Sequence, residues 1–190
     1  MKEGGIPPSF HIFTKLRGGK RKVGAKFCNI NVYGSIKDNV QKISNKQECY
    51  AVSPVWVTVV SDYFQWGDTQ RYAKIISESI GTPVLSTEYF DDDYVEFTVY
   101  ENGKLLTKHV PTEYEEFEKH CGDAQIFINA FHMDVSDEVV LKKIFEVEDC
   151  ESSVCLMESI LGCPIFGVDS DYPPEEAPDR TLIEEFVNSN

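Results

Sequence analysis

The sequence predicts an α+β fold: a mostly antiparallel, twisted sheet with one or two helices packed on it, followed by a helical C-terminal subdomain. Alternating apolar and polar residues, which are typical of half-buried strands, recur through residues 1–110. One strongly periodic helix interrupts them at 67–83, and the apolar spacing becomes helical after Val110. We therefore predict a sheet-rich region over 1–110 and a helical region over 111–190 that packs on it.

The first two strands are predicted at residues 9–16 and 23–33, where apolar and polar side chains alternate. The residues between them, RGGKRK, contain the glycines that a hairpin loop favours. We therefore expect these two segments to pair with each other as a hairpin.

A short helix and a further strand are predicted next. Residues 35–44 have helical spacing behind Ser35, which we expect to cap the helix; the apolar residues are Ile36, Val40 and Ile43. Residues 55–61 are rich in β-branched side chains, and Pro54 before them is typical of a strand start. These residues should therefore form a strand.

The helix over 67–83 has clear signals at both ends. Asp68 or Thr69 is expected to accept hydrogen bonds from the free amides of the first turn. Gly81 favours a left-handed end, and Pro83 prevents continuation. The face that we expect to pack on the sheet consists of Tyr72, Ile75, Ile76 and Ile80.

Three more strands are predicted at 83–90, 94–100 and 104–110, so residues 55–110 should form a β-α-β-β-β unit. Asn102 and Gly103 indicate a two-residue hairpin turn, because both positions of that turn need a positive φ. In the middle strand, alternation predicts one buried and one hydrated face. The buried side chains would be Val95, Phe97 and Val99, and the hydrated ones Glu96, Thr98 and Tyr100.

The C-terminal region is predicted to be helical. Thr112 and Glu115 have the spacing of a capping box, which indicates a helix closed by Gly122. Later apolar periodicities predict helices at 123–131, 136–147 and 152–163, then a Pro-rich acidic linker at 171–180 and a terminal helix at 181–187.

Composition indicates a cytoplasmic protein that does not enter membranes. The 190 residues are 42% hydrophobic, which is enough for a core, yet no apolar run approaches the length of a membrane span. The N-terminus, MKEGGIPPSF, lacks the apolar stretch of an export signal. The six cysteines match no zinc pattern, and we expect them to be reduced thiols.

The net charge of −14 is unevenly distributed. Residues 1–48 have a net charge of +7 and residues 49–190 a net charge of −21. Because an acidic body repels phosphates, nucleic acid is an unlikely partner. The basic end either offsets the acidic body or, as a weaker hypothesis, binds a phosphate or RNA through the Lys15–Lys26 loop, with Lys20, Arg21 and Lys22 as the phosphate-binding residues.

Three successive aspartates, Asp91, Asp92 and Asp93, separate two predicted strands. The favoured interpretation is a hydrated turn, because aspartate tolerates turn conformations and protects sheet edges. A Ca²⁺ or Mg²⁺ site is the second interpretation; it would need further oxygen ligands, for which Asp169 and Asp171 are the candidates. A partner-binding patch is the third.

An acidic and aromatic segment connects the strand at 55–61 to the helix at 67–83. Its candidates for partner binding are Asp62, Tyr63, Trp66 and Asp68. Aromatic residues ringed by acids would suit a basic protein partner. The slightly favoured alternative is that the rings of this segment and of Trp56 and Phe64 close the core beneath the helix.

The segments around SPVWVTVVSDYFQWGD, LSTEYFDDDYVEFTVYENGK, GDAQIFINAFHMDVSDEVVLKKIF and LMESILGCP resemble an uncharacterised bacterial α+β family with no assigned activity, over roughly residues 50–166. The resemblance is one of general pattern and implies no functional residues. Small acidic bacterial proteins that neutralise toxins are similar in composition only.

No catalytic, nucleotide-binding or cofactor motif is present, so we predict no cofactor and lean against an enzyme. The leading hypothesis is a non-enzymatic cytoplasmic protein whose acidic, aromatic-containing surface binds a basic protein. The alternative is a small metal-dependent hydrolase that uses Asp91, Asp93 and Asp169 or Asp171 with a histidine.

Overall fold

The computed structural model describes residues 26–44, 46–65, 67–115, 117–166, 168, 174 and 178–189. The predicted strand at 9–16, the basic loop with Lys20, Arg21 and Lys22, and the pair Asp169 and Asp171 lie outside the described residues.

The sheet has six strands, and every neighbouring pair is antiparallel. Their spatial order is β2-β3-β1-β4-β5-β6. The strands are β1 (Lys26–Tyr33), β2 (Glu48–Ala51), β3 (Trp56–Val60), β4 (Val84–Phe90), β5 (Tyr94–Glu101) and β6 (Lys104–His109). The predicted α+β class is confirmed, and the β-α-β-β-β order over 55–110 is observed.

Helices cover both faces of the sheet. The helices of the described residues are α1 (Lys37–Ile43), α2 (Asp68–Ile80), α3 (Ala124–Ala130), α4 (Asp137–Ile144), α5 (Cys150–Leu161) and α6 (Thr181–Ser189). No helix within these residues is long and apolar enough to cross a membrane.

The predicted hairpin of residues 9–16 with 23–33 is excluded over Ile30–Val32, where other strands pair with β1, and is untested along the rest of β1 because residues 9–16 lie outside the described residues. β1 is a central strand, and between Ile30 and Val32 it pairs with β3 on one side and with β4 on the other. Both sets of backbone hydrogen-bonding groups are therefore used there. The local alternation was read correctly as a strand, but the choice of its partner depends on distant segments.

Both faces of β5 are buried, which corrects the prediction of a hydrated face. Glu96, Thr98 and Tyr100 face the layer of α1 and α2, and they are buried. On the opposite face, Val95, Phe97 and Val99 join one hydrophobic cluster with residues of the helices after residue 123. The sheet is thus the middle layer of three, because helices lie on both of its faces.

The ends of α2 match the prediction better than its buried face. Gly81 ends the helix in the left-handed conformation, with φ +75°. Neither Asp68 nor Thr69 caps its start, because Gly67 occupies the cap position. The buried face consists of Thr69, Ala73, Ile76 and Ser77, whereas Ile75 is 44% exposed.

The first helix and its neighbours also differ from the prediction. α1 begins at Lys37, with Ile36 rather than Ser35 in the cap position, and the side chain of Ile36 is 65% exposed. Only Val40 of the predicted apolar set is fully buried. Strand β2 was not predicted; it is a four-residue edge strand that pairs with β3.

The capping box predicted at Thr112 and Glu115 starts no helix. The chain there makes two antiparallel bridges, Val110 with His120 and Tyr114 with Phe117, and Glu115 has φ +50°. The next predicted helix, at 123–131, is present as α3 and begins after Asp123, whose carboxylate accepts from the amides of Gln125 at 2.9 Å and Ile126 at 3.3 Å. The later helices α4, α5 and α6 lie within three residues of the predicted boundaries.

Buried hydrogen bonds connect the sheet to the segment after α5. Asn29 of β1 donates through Nδ2 to the carbonyl oxygens of Ile165 at 2.8 Å and Val168 at 3.3 Å. The indole of Trp56 donates to the carbonyl of Leu161 at 3.1 Å. These bonds fix the helical layer on the sheet, because each joins side chains and carbonyls that are shielded from water.

Candidate functional site

The three aspartates form the turn between β4 and β5. Asp91 and Asp92 have positive φ values of 55° and 64°, and the amide of Asp93 donates to the carbonyl of Phe90 at 3.1 Å. Tyr89 donates through its hydroxyl to the carboxylate of Asp92. Asp92 and Asp93 are exposed and Asp91 is half-buried. The backbone of these residues therefore forms a turn, as the favoured interpretation predicted, and their carboxylates reach the surface, where they can contact a partner.

Two other elements bring carboxylates to this turn. The pKa of Tyr114 is raised by desolvation and then by the carboxylates of Glu115, Asp93 and Asp91, so these three groups lie near its side chain. On the other side lies the start of α5. The pKa of the Cys150 thiol is raised to about 12. Burial is the largest cause, and the carboxylates of Asp149, Asp92 and Asp93 contribute the rest of the increase.

We call these five residues the acidic cluster: Asp91, Asp92, Asp93, Glu115 and Asp149. They come from the β4–β5 turn, the irregular segment after β6 and the cap of α5. Within the described part of the chain, none of the three turn aspartates forms an ion pair with a lysine or arginine. The cluster is therefore a local concentration of negative charge.

Aromatic rings flank the acidic cluster. Phe90, the residue before the turn, has the ammonium of Lys26 3.9 Å from its ring centroid. The ring of Tyr114 lies 6.2 Å from that of Phe90, and Phe117 lies 4.9 Å from Tyr94. One cation of the chain itself thus already lies over a ring beside the turn, which shows that this surface accommodates an ammonium group.

The segment before α2 divides between surface and core. Asp62 is exposed, and Tyr63 is 76% exposed. Asp68 is half-buried and accepts from the amide of Gln65 at 3.3 Å. In contrast, Phe64 is half-buried and packs on Tyr72 of α2 at 5.5 Å, as the core alternative predicted. Trp56 is also buried, but among the C-terminal helices against Phe131 and not beneath α2. Trp66 lies outside the described residues.

Sequence reasoning missed a buried pair of carboxylates beneath α2. Glu88 of β4 and Glu96 of β5 lie directly opposite each other, and each is 2% exposed. They lie on the sheet face that α2 covers. Two like charges at such a position destabilise each other unless donors, cations or protons compensate them.

Glu88 is held by the start of α2. Its two carboxylate oxygens each accept from the amide of Gly67 at 3.0 Å, and the hydroxyl of Thr69 donates to Oε1. No side chain of α2 itself caps this helix, so Glu88 supplies the capping acceptor from a neighbouring strand. Burial raises the pKa of Glu88, the donors of Thr69 and Gly67 lower it, and the nearby Glu96 raises it again; the net direction is upward.

Glu96 has a different set of partners. Lys108 of β6 forms an ion pair with Oε2, and the hydroxyl of Tyr94 donates to the same atom at 2.9 Å. The amide of Gln70, on α2, donates to Oε1. The two glutamates therefore differ: Glu96 has a cation, whereas the contacts of Glu88 are made by uncharged donors.

The hairpin turn was a usable signal for this pair. A three-residue turn at Asp91–Asp93 pairs Phe90 with Tyr94, and counting back along both strands sets Glu88 opposite Glu96. The burial of the pair was not predicted. The alternation of apolar and polar residues was interpreted as one buried and one hydrated face, but it also occurs in a strand that is covered on both faces.

The described residues contain no group of three or more histidine, cysteine, aspartate or glutamate side chains that could hold a metal ion. Among the histidines, His109 is fully buried, stacks 4.3 Å from the ring of Phe145 and accepts at Nδ1 from the amide of Gly122 at 3.4 Å. Burial lowers its pKa to about 4, so the imidazole is neutral near pH 7.

Comparison with known proteins gives no relative: no family model, curated protein or solved structure matches this chain. The resemblance to an uncharacterised bacterial family therefore stays an expectation.

Proposed function

We propose that the protein is a non-enzymatic interaction module that binds a basic protein through the acidic cluster. The observation that carries the proposal is the convergence of exposed carboxylates from three elements on the β4–β5 turn, where Asp91, Asp92 and Asp93 have no ion-pair partner among the described residues. Such a surface attracts a positively charged partner before contact is made.

Two aromatic groups that reach the surface support the same proposal. Tyr114 is half-buried beside Glu115, and Tyr63 exposes most of its ring in the segment before α2. Tyrosine suits protein interfaces because its ring provides apolar contact area while its hydroxyl can hydrogen-bond at the rim. The ammonium of Lys26 over Phe90 is the type of contact that a lysine or arginine of the partner would make.

The proposal places the protein in the cytoplasm. All six cysteines are free thiols, and Cys121 is exposed. Free thiols, one of them accessible, suit a reducing compartment.

The test compares two variants with the same change in net charge. The docking variant carries Asp91→Asn, Asp92→Asn and Asp93→Asn; the control variant carries Glu118→Gln, Glu146→Gln and Glu184→Gln at positions outside the acidic cluster. The partner is first captured from the source cell with the full chain at low salt and then purified. Dissociation constants are measured at about 50 and about 500 mM salt, because exposed charges are screened over about 10 Å at 0.1 M ionic strength.

We expect the docking variant to bind the purified partner about 10–100-fold more weakly at low salt, since three interfacial charges at about 0.5–1 kcal/mol each sum to about 1.5–3 kcal/mol. The control variant should stay within about threefold of the wild-type chain. Equal weakening in the two variants would show that only the net charge matters and not the acidic cluster, which would contradict the proposal. Unchanged binding in the docking variant would also refute it.

A further inference from the structure

The start of α2 and the pair Glu88 and Glu96 form one closed polar cluster. Gly67 and Thr69 donate to Glu88, and Gln70 donates to Glu96. Donors on three residues therefore attach the first turn of the helix to the sheet. This turn has no capping side chain of its own. Its attachment therefore depends on the state of the Glu88 carboxyl group.

The other charged and titratable groups around Glu88 do not neutralise it. From β1, Cys28 lies directly opposite Glu88, and its thiol has a pKa raised to about 12 by burial and by the carboxylates of Glu88 and Asp68, so it is uncharged. From β5, Tyr94 and Tyr100 have their pKa values raised by burial and by the two glutamates, so they are also uncharged.

The only cation described in the cluster belongs to the other glutamate. Lys108 of β6 pairs with Oε2 of Glu96, and Asp68, at the start of α2, adds negative charge. When both glutamates are ionised, two buried carboxylates share one ammonium. A proton can neutralise the second carboxylate. Glu88 is the carboxylate that binds this proton more readily, because the described cation pairs with Glu96.

We propose that the first turn of α2 is a proton-controlled contact: it is held firmly on the sheet when Glu88 is protonated and held more weakly when Glu88 is ionised. The direction follows from linkage. Glu88 is buried directly opposite Glu96, and the ammonium of Lys108 pairs with Glu96. The closed arrangement therefore binds a proton at Glu88 more tightly than an open one in which the carboxyl group meets water, and the pKa of Glu88 is raised accordingly. Stability of the closed turn is therefore fully present at acid pH and is lost as pH rises through the raised pKa.

The test is amide hydrogen exchange of the full chain between about pH 4 and pH 8, with each rate divided by its intrinsic rate at that pH. Each unit by which the closed state raises the pKa of Glu88 changes the opening equilibrium about tenfold. We expect the protection factors of Gly67 and Thr69 to fall as pH rises, while those of Val95 and Phe97, in the middle of β5, change less.

Glu88→Gln mimics the protonated carboxyl group, because its amide oxygen still accepts from Gly67 while no charge can form. This variant should keep high protection at Gly67 and Thr69 across the whole range. Glu146→Gln, on the exposed surface, is the matched control and should behave as the wild-type chain does. A flat wild-type profile, or an equal fall in the Glu88→Gln variant, would overturn the proposal.

A second measurement covers the case in which Glu88→Gln does not fold, as judged by its circular dichroism spectrum. The side-chain carboxyl carbon of Glu88 is then titrated by NMR in the wild-type chain. A midpoint above that of the exposed Glu146 supports the proposal, and a midpoint at or below it overturns the proposal.

The segment with Asp62 and Tyr63 leads directly into this turn, so its opening would also move Tyr63, one of the aromatic groups that support the proposed function. That consequence rests on the proposed function. The exchange measurement uses no partner, so failure of the proton-controlled contact and failure of docking give separate results.

Discussion

Replacement of Asn29 tests how the helical layer is attached to the sheet. Asn29 is fully buried; it donates to the carbonyls of Ile165 and Val168, and its Oδ1 accepts from the amide of Asn31 at 3.0 Å. Thr58 continues the chain by donating to Oδ1 of Asn31 at 2.6 Å. Asn29→Ala removes the hydrogen bonds between β1 and the segment after α5, while the former hydrogen-bond partners of Asn29 stay buried.

The magnitude follows from the groups that lose a partner. The Ile165 carbonyl and the Asn31 amide each remain buried, and an unsatisfied buried group costs about 1–3 kcal/mol. The expected loss for Asn29→Ala is therefore about 2–6 kcal/mol in the free energy of unfolding. For a domain of this size, each kcal/mol corresponds to about 2–4 °C in Tm.

Asn29→Asp separates hydrogen bonding from packing. The side chain keeps its shape, but an oxygen replaces the donor that faces the Ile165 carbonyl. The loss should be at least as large as that of Asn29→Ala, because two acceptors then face each other in the core. Asn39→Ala, at an exposed position of α1, is the control and should change stability by less than about 0.5 kcal/mol.

The assay is equilibrium urea unfolding followed by circular dichroism, with the m-value checked for each variant. A loss below about 1 kcal/mol for Asn29→Ala at an unchanged m-value would show that the buried chain of amides is not an attachment of the two layers.

Three further outcomes are expected. Asp123→Ala removes the acceptor for the first amides of α3 and should cost about 0.5–2 kcal/mol in urea unfolding. The pKa of His109 is lowered to about 4 in the folded chain, so its contribution to stability is present above its unfolded pKa and is lost as pH falls from 6.5 towards 4. We expect His109→Phe to remove about 3 kcal/mol of this pH dependence, measured as the difference between variant and wild-type unfolding curves over that window. Cys121, which is exposed, should react with a thiol reagent in the native chain, whereas Cys163, fully buried and with a raised pKa, should react only after unfolding.

The parts of the fold that follow from local chemistry were predictable. The turn at Asn102 and Gly103 has φ values of 50° and 73°, because asparagine and glycine tolerate the conformation that a tight hairpin needs. Gly81 and Gly162 end α2 and α5 in the left-handed conformation for the same steric reason. These features depend on a few neighbouring residues, so one sequence is sufficient to find them.

Strand partners and the spacing of isolated polar signals were less predictable. The alternation in residues 23–33 identified β1 but not its neighbours, which are β3 and β4 over Ile30–Val32. The capping-box spacing of Thr112 and Glu115 occurs in a segment whose bridges bring Val110 to His120 instead. In both cases a long-range pairing decides between local alternatives that the sequence pattern does not distinguish.

The candidate site also has a part that local sequence predicts and a part that only long-range packing determines. The turn of Asp91–Asp93 could be read from its residues, but its neighbours Glu115 and Asp149 reach it only through the packing of α5 and the segment after β6. Glu88 and Glu96 illustrate the deeper reason. Alternation reports which side chains share a face, and an antiparallel turn reports which of them are opposite; neither reports that a helix will cover that face. A polar residue on such a face stays buried only where donors meet it, and here the donors come from Gly67 and Thr69 at the start of that helix. A glutamate opposite another glutamate, on a strand whose second face is already apolar, therefore indicates that a source of N–H groups or protons lies above it.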